Sequence, residues 1–284
     1  MYAVGSTAVV TGAARGIGRA IAERLVRGGF RVVVGDVDPA VTAVADELGA
    51  HAFAGDCASE EGSAALVAAA REHLGTIDVF FANAGVEAGR GLASPESDWA
   101  LAHEVNVMAH VRAARLLVPT WLEQGGGRFV VTASAAGLLT MLGSAPYSVS
   151  KHGAVAFAEW LRATYGHRGV VVQAVCPQGV RTRMLEQAGP LAGLLSRDGA
   201  LEADDVADCM WAALASAQFL VLPHPEVGDY FRLRAADPDA WLGGMGRLQA
   251  KLDAASDPTA TTDPTATADA TAVTDGSATT GSRS

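Results

Sequence analysis

The sequence predicts an α/β protein: one doubly wound parallel sheet of about seven strands, with helices on both faces. Three observations carry this. Short β-branched runs alternate with longer windows of helical periodicity, the pattern of repeated strand–helix–strand units. The strand windows are almost wholly apolar, as in a sheet covered on both sides. Half of the 284 residues are apolar, enough for one well-buried core.

The elements follow in order. Thr7–Val10 is an apolar run entering a glycine-rich turn, and Ile17–Arg27 is helical until Gly28 and Gly29 stop it. Arg31–Val34 is the second strand, Pro39–Leu48 a helix ended by Gly49, and His51–Ala54 a short third strand. Glu60–Leu74 is a helix closed by Gly75, and Ile77–Ala82 is the fourth strand. A long helix is expected from about Pro95 to Glu123, then a fifth strand at Arg128–Thr132. Tyr147–Gly166 is a second long helix and Val170–Val175 the sixth strand. A helix near Ala203–Ser216 leads to the seventh strand, Phe219–Leu222. Trp241, Leu242, Met245 and Leu248 share a helical spacing and should pack on the body or on a neighbouring subunit.

The end of the chain is different. From Asp257 to Thr280 it reads DPTATT, DPTATA, DATAVT, DGSATT, a six-residue repeat with almost no large apolar side chain. Ordering it would cost backbone entropy with little burial in return. The expected organisation is one domain over 1–252 and a disordered tail over 253–284. The net charge is −10, and the stretch from Asp253 onward holds five Asp and one Arg. No basic stripe is present, which argues against nucleic acid as a partner. The N-terminus lacks a basic region followed by an apolar stretch, and no apolar run is long enough to span a bilayer. The expectation is a cytoplasmic protein with no signal peptide and no membrane partner. Cys57, Cys176 and Cys209 are odd in number and widely spaced. They suggest reduced thiols, with neither a metal-ligand set nor a disulfide framework.

Thr11–Gly18 reads TGAARGIG between a strand and a helix. Glycines at 12, 16 and 18 let backbone turn tightly and approach a pyrophosphate, which would sit at a helix N-terminus. The spacing is G-x-x-x-G-x-G, and T-G-x-x-x-G-x-G resembles the signature of the short-chain dehydrogenase/reductase family, whose fold is Rossmann-type. Asp36 ends the second strand, 18 residues past Gly18. A carboxylate there accepts hydrogen bonds from ribose hydroxyls and repels a 2′-phosphate, so NAD is expected over NADP. Asp38 adds negative charge. Arg15 argues the other way if it pairs with a 2′-phosphate, and is neutral to the choice if it is a solvated loop residue.

The resemblance extends along the chain. It implies that Asp56 bonds the adenine edge, that Cys57 offers backbone only, and that Asn83-Ala84-Gly85 lies against the adenosine side. With Gly12, Arg15, Gly16, Ile17, Gly18 and Asp36, these make the expected cofactor-binding set. Tyr147 and Lys151 form the family's Y-x-x-x-K, on one face of a helix by their spacing. A free tyrosine titrates near ~10, too high for proton exchange at neutral pH, and a cation beside it with a charged ring nearby should lower that value. The resemblance makes Tyr147 the general acid and base, gives Lys151 the nicotinamide ribose, and gives Ser134, 13 residues before Tyr147, the substrate oxygen. It makes Asn106 the holder of a relay water, puts Val180 and Thr182 at the nicotinamide carboxamide, and adds Pro177 to the cofactor-binding set.

One position departs from the family. Gln178 stands where P-G-x-x-x-T has glycine, and it either contacts substrate or points outward. Residues 183–202 should form a substrate lid. Met184, Leu185, Leu191, Leu194 and Leu195, with Leu138, Leu139 and Met141, either line an apolar pocket or pack the lid on the body. Glu87 is either a polar substrate contact or solvated. His224 lies between two prolines and reads as a rigid turn, not as a site residue. The resemblance implies a hydride transfer between NAD(H) and a hydrophobic secondary alcohol or ketone, in a homo-oligomer, a tetramer or dimer. A non-redox epimerase or dehydratase using bound nicotinamide, or a silent cofactor sensor, are the alternatives.

Overall fold

The computed structural model describes residues 2–256. Seven strands, β1 (Thr7–Thr11), β2 (Arg31–Asp36), β3 (His51–Ala54), β4 (Val79–Ala82), β5 (Gly127–Thr132), β6 (Val170–Val175) and β7 (Leu220–Val221), make one sheet in the order β3-β2-β1-β4-β5-β6-β7. Every pairing is parallel. Strand order reverses between β1 and β4, which opens a crevice at their C-terminal ends.

The helices are α1 (Gly16–Arg27), α2 (Val41–Leu48), α3 (Glu60–Leu74), α4 (Glu96–His103), α5 (Ala109–Gln124), α6 (Ala136–Leu139) and α7 (Ala145–Tyr165). After β6 come α8 (Arg183–Glu186), α9 (Ala192–Leu195), α10 (Ala203–Ala213), α11 (Glu226–Ala236) and α12 (Pro238–Ser256). The pleat sorts each strand between two cores. Val9, Val33, Phe80 and Phe129 meet Leu66 of α3, Leu117 of α5 and Leu161 of α7 on one face. Val10, Val34, Phe81 and Val130 meet Ile21 and Leu25 of α1 and Met210 of α10 on the other. Local signals agree with the boundaries: the Ser59 hydroxyl caps α3 by accepting the Gly62 N–H at 3.1 Å.

The helix expected from Pro95 to Glu123 is interrupted. A π-helical turn at Glu104–Met108 separates α4 from α5. Its cause is long-range: the Asn106 side chain is drawn to the backbone of Val86, past the end of β4, and the helix takes up the extra residue as a bulge. The last helix runs to Ser256, four residues beyond the expected domain end at 252, and the rest of the repeat tail lies outside the described residues. Among the described residues, no helix is long and apolar enough to cross a membrane.

Candidate active site

The turn after β1 is packed backbone against backbone. Gly12 has φ +66°, and a Cβ there would lie 2.8 Å from the Ala84 Cα. A Cβ on Gly18 would collide with the Gly12 carbonyl oxygen. Thr11 fastens the turn to β4. Its hydroxyl donates to the Phe81 carbonyl at 3.2 Å and accepts the Asn83 and Ala84 N–H groups, each at 3.0 Å. The Asn83 amide donates back to the Thr11 carbonyl at 3.0 Å. Asn83 and Ala84 therefore hold the turn in shape, and Thr11 is a supporting residue that the expected set omitted.

Around the crevice, Asp36 is 9% exposed, and its carboxylate accepts the Ala14 and Asp38 N–H groups, each at 2.9 Å. The Arg15 guanidinium pairs with Asp38 at 2.8 Å, so it is neither solvated alone nor unclaimed. The Ala40 N–H and then that guanidinium hold the Asp38 carboxyl below its usual range. Asp56 accepts the Ala58 N–H at 2.8 Å. Cys57 is buried in the core, its thiol pushed up to about 12 by that burial, which leaves only its backbone for the crevice. Ile17 packs partly buried against the α1-side core. A Cβ on Gly16 would meet the Thr182 methyl at 3.3 Å, so the loop after β6 reaches the turn. In that loop the Pro177 carbonyl accepts the Ala135 N–H at 2.8 Å, and Val180 is buried, its carbonyl bonded by Thr182 at 3.2 Å.

The other expected residues converge at the ends of β4 and β5. A Cβ on Gly85 would stand 3.2 Å from both Asn106 Oδ1 and Lys151 Nζ. Asn106 is fully buried. Its Oδ1 accepts the Val86 N–H at 2.9 Å, and its Nδ2 donates to the Val86 carbonyl and to the Ser150 hydroxyl, both at 2.9 Å. Ser150 in turn donates to the Tyr147 carbonyl at 2.9 Å. Lys151 Nζ donates to the Thr132 carbonyl at 2.9 Å and stands 5.6 Å from the Tyr147 ring centroid. Ser134 accepts the Ala136 N–H at 3.1 Å, and its hydroxyl faces that of Tyr147.

Burial dominates the electrostatics of Tyr147 and Lys151. Burial pushes the Tyr147 phenol up to about 12, against the Ser134 hydrogen bond that favours the phenolate, and Glu87 pushes it further up. Burial also pulls Lys151 down to about 8. Desolvation of the phenolate outweighs the Ser134 hydrogen bond that favours it. In the protein alone, the Tyr147 phenol keeps its proton at neutral pH.

His110 lies one turn beyond Asn106 and is 2% exposed, and neither ring nitrogen has a partner in the protein. Burial and then Lys151 lower it from 6.5 to about 3. The unfolded chain therefore binds the proton first. Its share of stability is present above pH 6.5 and is lost as pH falls toward 3. Urea unfolding should show this: the loss of stability between pH 7 and pH 5 shrinks by about 2 kcal/mol in His110→Leu. An unchanged loss would mean that His110 is not held neutral.

A cavity of about 280 Å³ is lined by Arg90, Gly143, Ala188, Leu191, Gln249 and Leu252 among others. Leu191 meets the pocket expectation. Leu138 and Leu139 do not: they are 3% and 9% exposed within the core, because α6 turns them onto α7. Gln249 and Leu252 bring α12 to the wall, which sequence pattern did not indicate. Glu87 pairs with Arg90 at 3.1 Å, and its side chain is 11% exposed, so it is not solvated. Gln178 neither reaches the cavity nor points outward; it bonds Asp198. His224 is more than a turn residue: it is 3% exposed and bonded through both ring nitrogens. Among the described residues, no group of three or more His, Cys, Asp or Glu is placed to share a metal ion.

Known proteins resemble the chain in sequence and fold. A family profile described as short chain dehydrogenase matches residues 6–191. The chain is 38% identical over 244 residues to the 1-deoxy-11-beta-hydroxypentalenate dehydrogenase of Streptomyces exfoliatus, covering 82% of this chain and 88% of the relative. A crystal structure of a short chain dehydrogenase/reductase from Burkholderia phymatum in complex with NAD superposes with a TM-score of 0.76 at 33% identity, over 84% of this chain and 96% of that one. A 7α-hydroxysteroid dehydrogenase complexed with NADH and 7-oxo glycochenodeoxycholic acid superposes with a TM-score of 0.66 at 26% identity, over 77% and 92%. The strand order, the glycine turn and these matches agree, and the chain belongs to the short-chain dehydrogenase family of oxidoreductases.

Proposed function

We propose that the protein moves a hydride between NAD(H) and a hydrophobic secondary alcohol or ketone, with Tyr147 as general acid and base. The observation that carries this is the convergence of Ser134, Tyr147, Lys151 and Asn106 at the ends of the strands beside the glycine turn. The turn fits a pyrophosphate: Gly12 and Gly18 let its backbone pack tightly against Ala84 and against itself at the start of α1, where free backbone N–H groups favour an anion. Gly12, Gly16, Ile17 and Gly18 would hold the phosphates, and Asp36, Asp56 and the backbone of Cys57, Asn83, Ala84 and Gly85 the adenosine half. Lys151, with Pro177, Val180 and Thr182, would hold the nicotinamide half.

When bound, that cofactor supplies or accepts the hydride. The chain's own residues handle the proton. The Tyr147 hydroxyl gives it to the substrate oxygen in reduction and takes it back in oxidation. Ser134 holds that oxygen in place. Lys151 takes up and passes on the proton, a role suited to a group pulled down to about 8. Asn106 braces the helix through Ser150, so the tyrosine and lysine keep their spacing. Asp36 and the Arg15–Asp38 pair favour NAD over NADP, because the cation nearest a 2′-phosphate is already claimed. The relative named for a hydroxypentalenate and the steroid dehydrogenase holding a 7-oxo compound support a bulky hydroxy or oxo substrate.

The test is nicotinamide absorbance with NAD⁺ or NADP⁺ and a panel of hydrophobic secondary alcohols. Turnover with NAD⁺ supports the reading, and substrate conversion without net change in absorbance would turn it to the non-redox alternative. A homo-oligomer is proposed as well. Val149 and Trp160, 60% and 55% exposed, lie 11 residues apart on one stripe of α7, and α4, which packs against α7, exposes Leu101 at 47%. Trp160→Glu is expected to shift the protein to a smaller species in sedimentation velocity. An unchanged sedimentation coefficient would place the interface elsewhere.

A further inference from the structure

The loop after β6 carries Pro177, Val180 and Thr182, the residues proposed to hold the nicotinamide half, and the lid begins at its end. The lid leaves as α8 and returns through α9 and residues 196–201 to α10. The returning limb is tied to the loop along its length. The Leu201 N–H donates to the Gly179 carbonyl at 3.0 Å, and the Arg181 N–H donates to the Leu201 carbonyl at 2.8 Å. The contact is so close that a Cβ on Gly179 would collide with the Leu195 carbonyl oxygen.

Side chains complete the tie from an unexpected direction. Gln178 Nε2 donates to Asp198 Oδ2 at 3.0 Å. The Tyr230 hydroxyl of α11 donates to the same carboxylate at 3.1 Å. The Gln178 N–H donates to His224 Nδ1 at 3.1 Å, which makes that nitrogen an acceptor and puts the ring proton on Nε2. Nε2 then donates to the Gly199 carbonyl at 3.2 Å. Asp198 and Gly199 lie on the lid, Gln178 on the cofactor-side loop, and His224 and Tyr230 on the C-terminal segment. Glycine, usual at position 178 in the resemblance drawn above, has no side chain to reach Asp198.

We propose that Gln178, Asp198, Tyr230 and His224 form a latch that fixes the lid's returning limb to the loop under the nicotinamide. Gln178 is its positioning residue. Only the outgoing limb, 183–191, is then free to open for substrate, and the grip of Val180 and Thr182 on the cofactor does not loosen when it does. This rests on the dinucleotide reading above. The latch itself can be read without cofactor or substrate.

A charge swap tests it. In Gln178→Glu, two carboxylates face each other and the bond is lost. In Gln178→Glu with Asp198→Asn, the Asn amide donates to the Glu carboxylate while Tyr230 still donates to the Asn oxygen, so the network re-forms with its polarity reversed. Amide exchange over 195–201, measured on the protein alone, should rise about tenfold in Gln178→Glu and return to near wild type in the double variant. The Kd for NADH, read by fluorescence, should rise about tenfold in the single variant and recover in the double, and KM for NADH should rise by more than kcat falls. Three results would overturn the latch: unchanged exchange in Gln178→Glu, faster exchange with an unchanged Kd, or a double variant no better than the single. A wild-type protein that binds no NADH would instead remove the dinucleotide reading, and the exchange pattern would still decide the latch.

Discussion

Tyr147→Phe is expected to lower kcat by about two to four orders of magnitude, the usual contribution of a positioned proton donor, with the Kd for NADH changed by less than about twofold. The argument is one of separable parts. The ring is 7% exposed and packed, and phenylalanine keeps that packing. The scaffold around it does not use the hydroxyl: Asn106 bonds Ser150, Ser150 bonds the Tyr147 carbonyl, and Lys151 bonds the Thr132 carbonyl. Only the proton and its hydrogen bond to Ser134 leave. Thermal stability should hold or rise, since a buried hydroxyl is removed. Single-turnover absorbance, NADH fluorescence and a melting curve measure the three quantities. A variant that keeps more than about a tenth of kcat would take the proton transfer away from Tyr147.

Much of this was legible in the sequence for a local reason. The strands are apolar runs and the helices carry a period of 3.6, and Thr11–Gly18 and Tyr147–Lys151 are contiguous spacings set by one turn and one helix face. The features that escaped are set by residues far apart. The π turn at Asn106 answers to Val86, 20 residues away, and helical periodicity is blind to a one-residue bulge. Nothing local marks the Thr11 hydroxyl, whose partners lie about 70 residues away beside β4. Gln178 had two local readings, and its partner proved to be Asp198, itself held by Tyr230 of a helix with no family signature. The rise of the Tyr147 phenol in the protein alone has the same cause: the desolvation that sets it is a property of the whole fold, not of the spacing to Lys151.

The second large effect concerns cofactor choice. The wild-type protein should favour NAD⁺ over NADP⁺ by about two to three orders of magnitude in kcat/KM, and Asp36→Asn with Asp38→Asn should narrow this to within about tenfold. A 2′-phosphate near the end of β2 would bring its charge against the Asp36 carboxylate, which two backbone N–H groups hold in place and which cannot swing aside. Like charges a few ångströms apart at a protein surface repel by on the order of 3–4 kcal/mol, which corresponds to that ratio. The neutral amide in Asp36→Asn removes the repulsion and keeps an acceptor for one of the N–H groups. Asp38→Asn acts differently, by releasing the Arg15 guanidinium it now holds at 2.8 Å. Either change alone should therefore move the ratio partway, Asp36→Asn through repulsion and Asp38→Asn through a freed cation. The Asp38 effect should shrink at high salt, since the pair is half-exposed. Initial rates with both cofactors, at low and high ionic strength, separate the two contributions. Equal turnover of NAD⁺ and NADP⁺ by the wild type would mean that the phosphate lies away from Asp36, with Arg15 leaving Asp38 to meet it.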